Sequence, residues 1–129
     1  MGDPLAAPRR TVLIVDDTEY VRRSFGILLR WHGAFDVVGE AASAAEALAL
    51  AAALHPEIVL LDRWVADGDS LAVVPALRAL APPPQVVLIS AASDDAARRE
   101  AVRLGVALCL DKTTPPEDIC AALAQLPPA

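Results

Sequence analysis

The sequence predicts an α/β fold, a doubly wound parallel sheet of five strands that carries five helices. Three observations predict it. Short apolar runs alternate with helical patterns, the 129 residues suit one domain, and hydrophobic residues make up 55% of the chain, enough for a core. Strict strand–helix alternation favours parallel strands with helices on both faces. We expect a flexible tail at 1–10, one domain at 11–126 and a C-terminal tail at 127–129.

Short apolar runs predict the strands. Most of them are almost continuously apolar, as strands buried on both faces should be. The second run, FDVVGE, instead alternates like a half-buried strand. In chain order, the predicted strands lie at 11–15, 35–40, 58–61, 85–89 and 106–110.

Helical spacing and end signals predict the helices. The first ends before Gly33, and the second begins at a capping box of Ser43 and Glu46. Pro75 lies inside the third and should cost a hydrogen bond or mark a kink. Acidic residues precede basic ones in the fourth, and Pro116 opens the fifth. The predicted helices lie at 19–31, 43–54, 70–80, 94–104 and 116–126.

Composition and charge exclude several classes of function. The net charge is −6 and the sequence pI about 4.7, so the domain by itself has no footprint for nucleic acid. Cys109 and Cys120 are too few for a disulfide framework or a structural zinc site, and we expect two reduced core thiols. Neither a signal-peptide apolar region nor an uncharged apolar window of membrane length is present. We therefore expect a cytoplasmic domain without membrane contact.

Polar side chains follow four of the predicted strands. Asp16 and Asp17 follow the first, Asp62 the third, Ser90 the fourth and Lys112 the fifth. Parallel α/β sheets bind ligands beyond the carboxyl ends of their strands. Adjacent carboxylates repel by about 1–4 kcal/mol near a surface, and a hard divalent cation such as Mg²⁺ would offset that repulsion. Because aspartate can attack a phosphoryl group whose oxygens a lysine neutralises, we predict phosphoryl chemistry with Asp62 as the reacting group.

Each of these residues also has a purely structural interpretation. Asp16 or Asp17 could cap the following helix, and Asp62 could be a loop acid. Ser90 could cap the next helix, and Lys112 could be a solvated loop lysine. Their convergence at one edge of the sheet favours the functional interpretation.

Five segments resemble the receiver domain of two-component response regulators. They are VLIVDD at 12–17, VVGEAASAAEAL at 37–48, PEIVLLD at 56–62, VVLIS at 86–90 and LCLDK at 108–112. The resemblance covers 11–126 and implies a flavodoxin-like fold with strand order 2-1-3-4-5. The second segment resembles receivers that are usually attached to a helix-turn-helix output domain.

The resemblance implies a phosphoacceptor and a metal site. Asp62 would accept a phosphoryl group from a sensor histidine kinase or a histidine phosphotransfer protein. Asp17, Asp62 and the main-chain carbonyl of Trp64 would bind Mg²⁺ or Mn²⁺, with Asp16 acting mostly through a metal-bound water. The protein would catalyse only its own phosphorylation and dephosphorylation, so it would not be an enzyme in the usual sense.

The resemblance also implies how the phosphoryl group is held and read. Lys112, Ser90 and the main-chain amide of Ala91 would bind the phosphoryl oxygens, and Ser90 would pull the following loop inward. A downstream protein would contact the fourth helix, the fifth strand and the fifth helix, and a homodimer is a further possible assembly. The chain would act either alone or as the receiver half of a larger DNA-binding regulator.

Several positions depart from the family's pattern. The usual proline four residues after the phosphoacceptor is Ala66, and the usual glycine eight residues after it is Ser70. Thr113 stands where many receivers have a proline. Cys109 occupies the position of the aromatic switch residue, so we expect the usual coupling between hydroxyl and aromatic side chain to be altered. Trp64 is unusually large, and it is either a loop aromatic or a shield that protects an acyl phosphate from water.

Three other classes compete with this interpretation. A phosphatase of the haloacid-dehalogenase type needs its two aspartates one residue apart, whereas Asp16 and Asp17 are adjacent. A flavodoxin-like cofactor binder needs a Ser-, Thr- and Gly-rich loop after the first strand, where this chain has carboxylates. A receiver-like scaffold that takes no phosphate is disfavoured by Asp62, Ser90 and Lys112.

Overall fold

In the computed structural model, which describes residues 8–90 and 95–127, all five strands of the main sheet are parallel. They are β1 (Arg10–Val15), β2 (Phe35–Ala41), β3 (Ile58–Asp62), β4 (Gln85–Ser90) and β5 (Leu108–Asp111). Their order in the sheet is β2-β1-β3-β4-β5. The predicted fold class and strand order are therefore confirmed. A separate antiparallel hairpin, Trp64–Val65 with Gly68–Asp69, lies in the loop after β3.

The described part of the chain contains five α-helices, of which the first four connect consecutive strands of the main sheet and the fifth follows the last strand. They are α1 (Glu19–His32), α2 (Ala44–Leu54), α3 (Val74–Arg78), α4 (Asp95–Leu104) and α5 (Pro116–Ala124). Gly33 ends α1 in the left-handed conformation, with φ of 89°, which glycine adopts without steric cost. None of these helices combines the length and apolarity that crossing a bilayer requires.

The predicted third helix is wrong in its first part. A 3₁₀ turn at Ser70–Val73 precedes α3, and Pro75 lies in the first turn of α3 rather than inside a longer helix. A first-turn amide has no acceptor within its own helix, so proline costs no hydrogen bond there and causes no kink.

The capping box of α2 forms in a modified way. Ser43 Oγ accepts from the Glu46 amide at 3.1 Å, as predicted. The Glu46 carboxylate, however, accepts from the Ala42 amide at 2.8 Å, one residue before the Ser43 amide that the capping box uses. Both hydrogen bonds still stabilise the start of α2.

Two apolar cores lie on opposite faces of the sheet. Alternate residues of β1 and β3 point to each face, with Leu13 and Val59 toward α2–α4 and Ile14 and Leu60 toward α1 and α5. This two-sided burial explains why both strands are continuously apolar. Each fully buried aliphatic side chain contributes about 1.5–3 kcal/mol.

Both cysteines carry free thiols, and they belong to different faces of the sheet. Cys120 is buried in the core under α1 and α5, whereas half-buried Cys109 packs against the other core. Burial raises the pKa of both thiols, so they are protonated at neutral pH.

The Arg10 side chain anchors the chain beyond α5 to the amino-terminal edge of the sheet. Its guanidinium donates to the carbonyls of Leu126 at 2.6 Å, Pro127 at 3.1 Å and Leu123 at 3.3 Å. Glu57 lies 3.5 Å from its Nε. Cationic donors satisfy the carbonyls that a helix end leaves without intrahelical partners. Arg10 thereby joins β1 to the end of the last helix.

We expect Arg10→Met to lower the free energy of unfolding by about 1–3 kcal/mol, because charge-assisted hydrogen bonds to carbonyls are lost from a largely buried position. Arg9→Met is the matched control, since the Arg9–Asp36 pair is exposed on both sides and should change stability by less than about 0.5 kcal/mol. Urea unfolding followed by circular dichroism measures both. Equal effects of the two substitutions would contradict the anchoring role.

Candidate functional site

The carboxyl ends of β1, β3 and β5 open into a cleft of about 460 Å³. Asp16 and Asp17 directly follow β1, Asp62 is the last residue of β3, and Lys112 follows β5. These side chains line the cleft together with Trp64 and apolar residues of β1, β3, β4, α1 and α5. Four residues predicted from three different strand ends thus share one site.

Three carboxylates form the centre of the cleft. One oxygen each from Asp16, Asp17 and Asp62 lies within 4.8 Å of the others. Asp16 and Asp62 are only 7% exposed, whereas Asp17 faces solvent. Clustered carboxylate oxygens of this kind are the donor set that hard divalent cations prefer. The residues present therefore fit Mg²⁺ or Mn²⁺.

Hydrogen bonds hold the turn between β1 and α1 in place. The Thr18 amide donates to Asp16 Oδ1 at 2.9 Å, and the Thr18 hydroxyl donates to Asp17 Oδ1 at 3.3 Å. Arg22 donates to the Asp16 carbonyl at 2.8 Å and pairs with Glu40 at 3.3 Å. Thr18 itself is the N-cap residue of α1, so Asp16 orders the turn before the helix. Side chain and main chain of Asp16 are both fixed.

The Asp16 carboxyl is electrostatically frustrated. Its pKa is raised to about 6, chiefly by burial; the hydrogen bond from the Thr18 amide opposes the increase, and the carboxylates of Asp62 and Asp17 add to it. Near neutral pH the ionised form is thus costly. A cation in the cleft would relieve that cost.

Lys112 supplies a positive charge beside Asp62. Its Nζ lies 3.1 Å from Asp62 Oδ1, and about half of the lysine side chain is exposed. The Lys112 amide donates to the Ser90 carbonyl at 2.9 Å, which fixes the lysine backbone against the end of β4. The ammonium group can therefore contact both Asp62 and a ligand that enters from solvent.

Ser90 ends β4 on the other side of the sheet from Ile89, which lines the cleft. The Ser90 side chain is buried, and its Oγ has no hydrogen-bond partner among residues 8–90 and 95–127. Ala91, whose amide is predicted to bind phosphoryl oxygens, lies outside the described residues.

Trp64 lies at the rim of the cleft in the hairpin after β3. Its side chain is 56% exposed, and the Arg63 guanidinium carbon lies 4.8 Å from its ring centroid. A guanidinium at this distance makes a cation–π contact that orients the indole. The indole therefore forms part of the cleft lining while more than half of its surface stays exposed.

Cys109, at the position where the resemblance implies that receivers usually carry an aromatic switch residue, lies on β5. Its pKa is raised by burial, and the nearby Arg98 guanidinium partly opposes the increase. Arg98 also lies 4.0 Å from Asp111 at the end of β5. A small neutral thiol therefore stands on the face of the sheet that Ser90 also faces.

Two residues of the site region were missed from the sequence. The Asp67 carboxylate accepts from the amides of Ala44 and Ala45 at 2.7 and 3.1 Å, which lowers its pKa and ties the loop after β3 to the start of α2. Ser70 Oγ donates to the Asp62 carbonyl at 2.6 Å. The departure from glycine at position 70 was a signal for the second contact, whereas no local pattern indicates the first.

Comparison with known proteins places these features in one family. A family model described as the response regulator receiver domain matches residues 12–124. The response regulator protein VraR of Staphylococcus aureus is 33% identical over 112 residues, which make up 87% of this chain and 54% of VraR. The chain thus spans about half the length of the curated relatives it matches.

Solved structures show the same architecture. The signal receiver domain of the response regulator NarL from Mycobacterium tuberculosis aligns with a TM-score of 0.85 at 32% identity, covering 92% of this chain and 95% of that one. A DNA-binding response regulator of the LuxR family from Staphylococcus aureus aligns with a TM-score of 0.84 over 91% and 98% of the two chains. At 19% identity, the latter likeness concerns the fold alone.

We expect Asp16→Asn to stabilise the metal-free protein at neutral pH. The folded-state pKa of about 6 exceeds the ordinary value of 3.8, so the folded state holds a proton that the unfolded state has released. This protonation stabilises fully below the ordinary pKa, and the stabilisation is lost as pH rises through about 6. The advantage of the neutral Asn should therefore be largest above that pH and should vanish in acid.

Urea unfolding in the presence of a chelator, repeated across pH, measures this difference. Asp118→Asn, which removes an exposed carboxylate on α5, serves as the control and should give no such gain in stability. A stability gain for Asp16→Asn that is independent of pH would contradict the assigned frustration.

Proposed function

Because the chain belongs to the response regulator receiver domain family, we propose that Asp62 accepts a phosphoryl group from a phosphohistidine and that this modification switches a protein-interaction surface. The donor would be a sensor histidine kinase or a histidine phosphotransfer protein. The observation that carries the proposal is the 3.1 Å approach of Lys112 to Asp62 inside the three-carboxylate cleft.

The residues of the cleft divide the chemistry among them. Asp62 is the buried carboxylate at the centre, so a phosphoryl group attached there is partly withdrawn from water. Asp17, Asp62 and the Trp64 carbonyl would hold Mg²⁺ or Mn²⁺, and Asp16 would act mostly through a water on the metal. Bound there, the cation supplies positive charge that offsets the negative charge of the phosphoryl oxygens.

The transfer step needs little covalent machinery from the protein. An oxygen of the Asp62 carboxylate forms the new P–O bond as the P–N bond of the phosphohistidine breaks. The imidazole, protonated on its other ring nitrogen, leaves with the bonding electron pair and is therefore released as neutral histidine. Lys112 stabilises the equatorial oxygens, and Ser90 and the Ala91 amide would donate hydrogen bonds to the product.

The output would be a contact with another protein. The surface formed by α4, β5 and α5 is the proposed docking site for a downstream protein, and for a second copy if the chain dimerises. Ser90 and Cys109 face the α4 side of the sheet, so movement of the Ser90 hydroxyl would reach the α4 part of this surface without an aromatic switch. Apart from catalysing its own phosphorylation and dephosphorylation, the domain would carry out no reaction.

A second candidate is that this chain is the receiver half of a larger DNA-binding regulator. The observation that favours it is the twofold length of VraR relative to the matched region. The receiver itself, with net charge −6, would not contact DNA. Phosphorylation at Asp62 is common to both candidates.

The decisive test is phosphoryl incorporation from acetyl phosphate with Mg²⁺, measured by intact-protein mass spectrometry. We expect the wild type to take up one phosphoryl group and Asp62→Asn to take up none, since the amide is not a nucleophile. Asp118→Asn, an exposed acid on α5, is the matched control and should behave as wild type. The proposal would be contradicted if Asp62→Asn took up as much phosphoryl group as the wild type, or if the wild type took up none.

We also expect Trp64→Ala to accelerate loss of the phosphoryl group. Removal of the indole from the rim of the cleft admits water to the acyl phosphate, and a change of about 0.4–1.4 kcal/mol in the barrier gives a roughly two- to tenfold faster rate. Trp31→Ala removes the other tryptophan, which is exposed on α1, and should leave the rate unchanged. Identical dephosphorylation rates for wild type and Trp64→Ala would dispose of the shielding role.

A further inference from the structure

Ser70 makes a direct contact with the main chain of the reacting residue. Its side chain is completely buried, and its Oγ donates to the Asp62 carbonyl at 2.6 Å. Its amide donates to the Arg63 carbonyl at 2.7 Å. One residue thus holds two consecutive carbonyls at the point where β3 ends.

The position of Asp62 in the sheet makes this contact consequential. The ladder between β1 and β3 ends at the pair Val15–Leu61, so Asp62 lies one residue beyond it. On the other side Asp62 is still aligned with Ile89 of β4. Asp62 is therefore paired with only one neighbouring strand, and the Ser70 hydroxyl binds the carbonyl of this residue.

Other contacts hold the middle of the loop and the residue directly after Asp62, whose amide donates to the Ile89 carbonyl at 3.1 Å. The Ala66 amide donates to the Ala42 carbonyl at 3.0 Å, and the Asp67 carboxylate binds the start of α2. Asp69 pairs with Arg63 at 3.3 Å. The contacts of Ala66 and Asp67 fix the far end of the loop. At the end that bears the carboxylate, Arg63 is held by Asp69 and Ile89, and Ser70 supplies the hydrogen bond to the Asp62 carbonyl.

We propose that Ser70 is a positioning residue whose hydroxyl sets the orientation of Asp62 and of the Trp64 carbonyl toward the metal and the phosphoryl group. The inference rests on the proposed function and names a residue that acts through Asp62. A rotation of the Asp62 peptide moves its carboxylate relative to Asp16 and Asp17 and tilts the carbonyl two residues later. Phosphoryl transfer depends steeply on such alignment.

A purely structural role for Ser70 predicts a different result for Ser70→Ala. If the hydroxyl only supports the 3₁₀ turn, Ser70→Ala lowers stability and leaves the chemistry of the folded protein unchanged. If it positions Asp62, Mg²⁺ affinity and transfer rate fall in protein that is fully folded. The two roles are therefore separable.

The experiment measures Mg²⁺ binding through Trp64 fluorescence in a Trp31→Phe background and phosphorylation by acetyl phosphate. We expect Ser70→Ala to weaken Mg²⁺ binding and to slow incorporation by about three- to tenfold each, the factor typical of one lost hydrogen bond. Ser70→Cys has a weaker donor of similar size, so its Mg²⁺ affinity and incorporation rate should lie between those of the wild type and Ser70→Ala. It also serves as the test variant if Ser70→Ala does not fold. Ile58→Val, a core deletion at the opposite end of β3, should lower the unfolding midpoint without either effect.

Two results would overturn the inference. One is that folded Ser70→Ala binds Mg²⁺ and incorporates phosphate as the wild type does. The other is that Ile58→Val loses as much Mg²⁺ affinity and incorporation rate as Ser70→Ala. Failure of the wild type itself to bind Mg²⁺ and to incorporate phosphate would overturn the proposed function, and the role of Ser70 with it. A reactive wild type with an insensitive Ser70→Ala contradicts the role of Ser70 alone.

Discussion

Like charges held together at the edge of an apolar sheet impose the constraint on which the rest of this structure depends. Asp16 and Asp62 are nearly buried, and only Asp17 is well solvated. Ile14 and Leu60 lie in the apolar core beneath them and line the same cleft. A low local dielectric strengthens both the repulsion among the carboxylates and the attraction of Lys112 for Asp62. The cleft is thereby suited to binding positive charge and to accepting a group that brings negative charge with it.

The two cores explain how the carboxylates are held so close together. β1 and β3 are packed on both faces, so the residues at their carboxyl ends cannot move apart without disturbing core side chains. The turn after β1 is held by Thr18 and Arg22, and the loop after β3 by Asp67 and Ser70. The stability of the apolar sheet thus offsets the electrostatic cost of the site.

The sheet also separates the predicted phosphoacceptor side chain from the side chains of Ser90 and Cys109. Asp62 points toward the side of α1 and α5, whereas Ser90 and Cys109 face the side of α2–α4. The ends of β4 and β5 connect the two sides, since the Lys112 amide binds the Ser90 carbonyl. Under the proposed function, a signal passes across these two strand ends. Because Cys109 is smaller than an aromatic ring, the conformational change would then depend more on the backbone and on Ser90.

The sequence by itself was sufficient for the fold class, the order of elements and the residues that follow four strands. The sequence alone shows the local properties on which these predictions rest, namely the apolar runs, the helical spacing and the adjacency of Asp16 and Asp17. The family resemblance supplied the strand order, which the structure confirms. Pro75 was misjudged because a 3₁₀ turn moves the start of α3, and no local pattern reports that boundary.

Only the tertiary structure decided which distant atoms meet. The contacts of Asp67 with α2 and of Ser70 with the Asp62 carbonyl join segments whose separation depends on how the whole loop closes. The raised pKa of Asp16 follows from burial and from Asp62, neither of which its sequence neighbours encode. Periodicity is a property of neighbouring residues, whereas hydrogen bonds and desolvation depend on the packing of the complete chain.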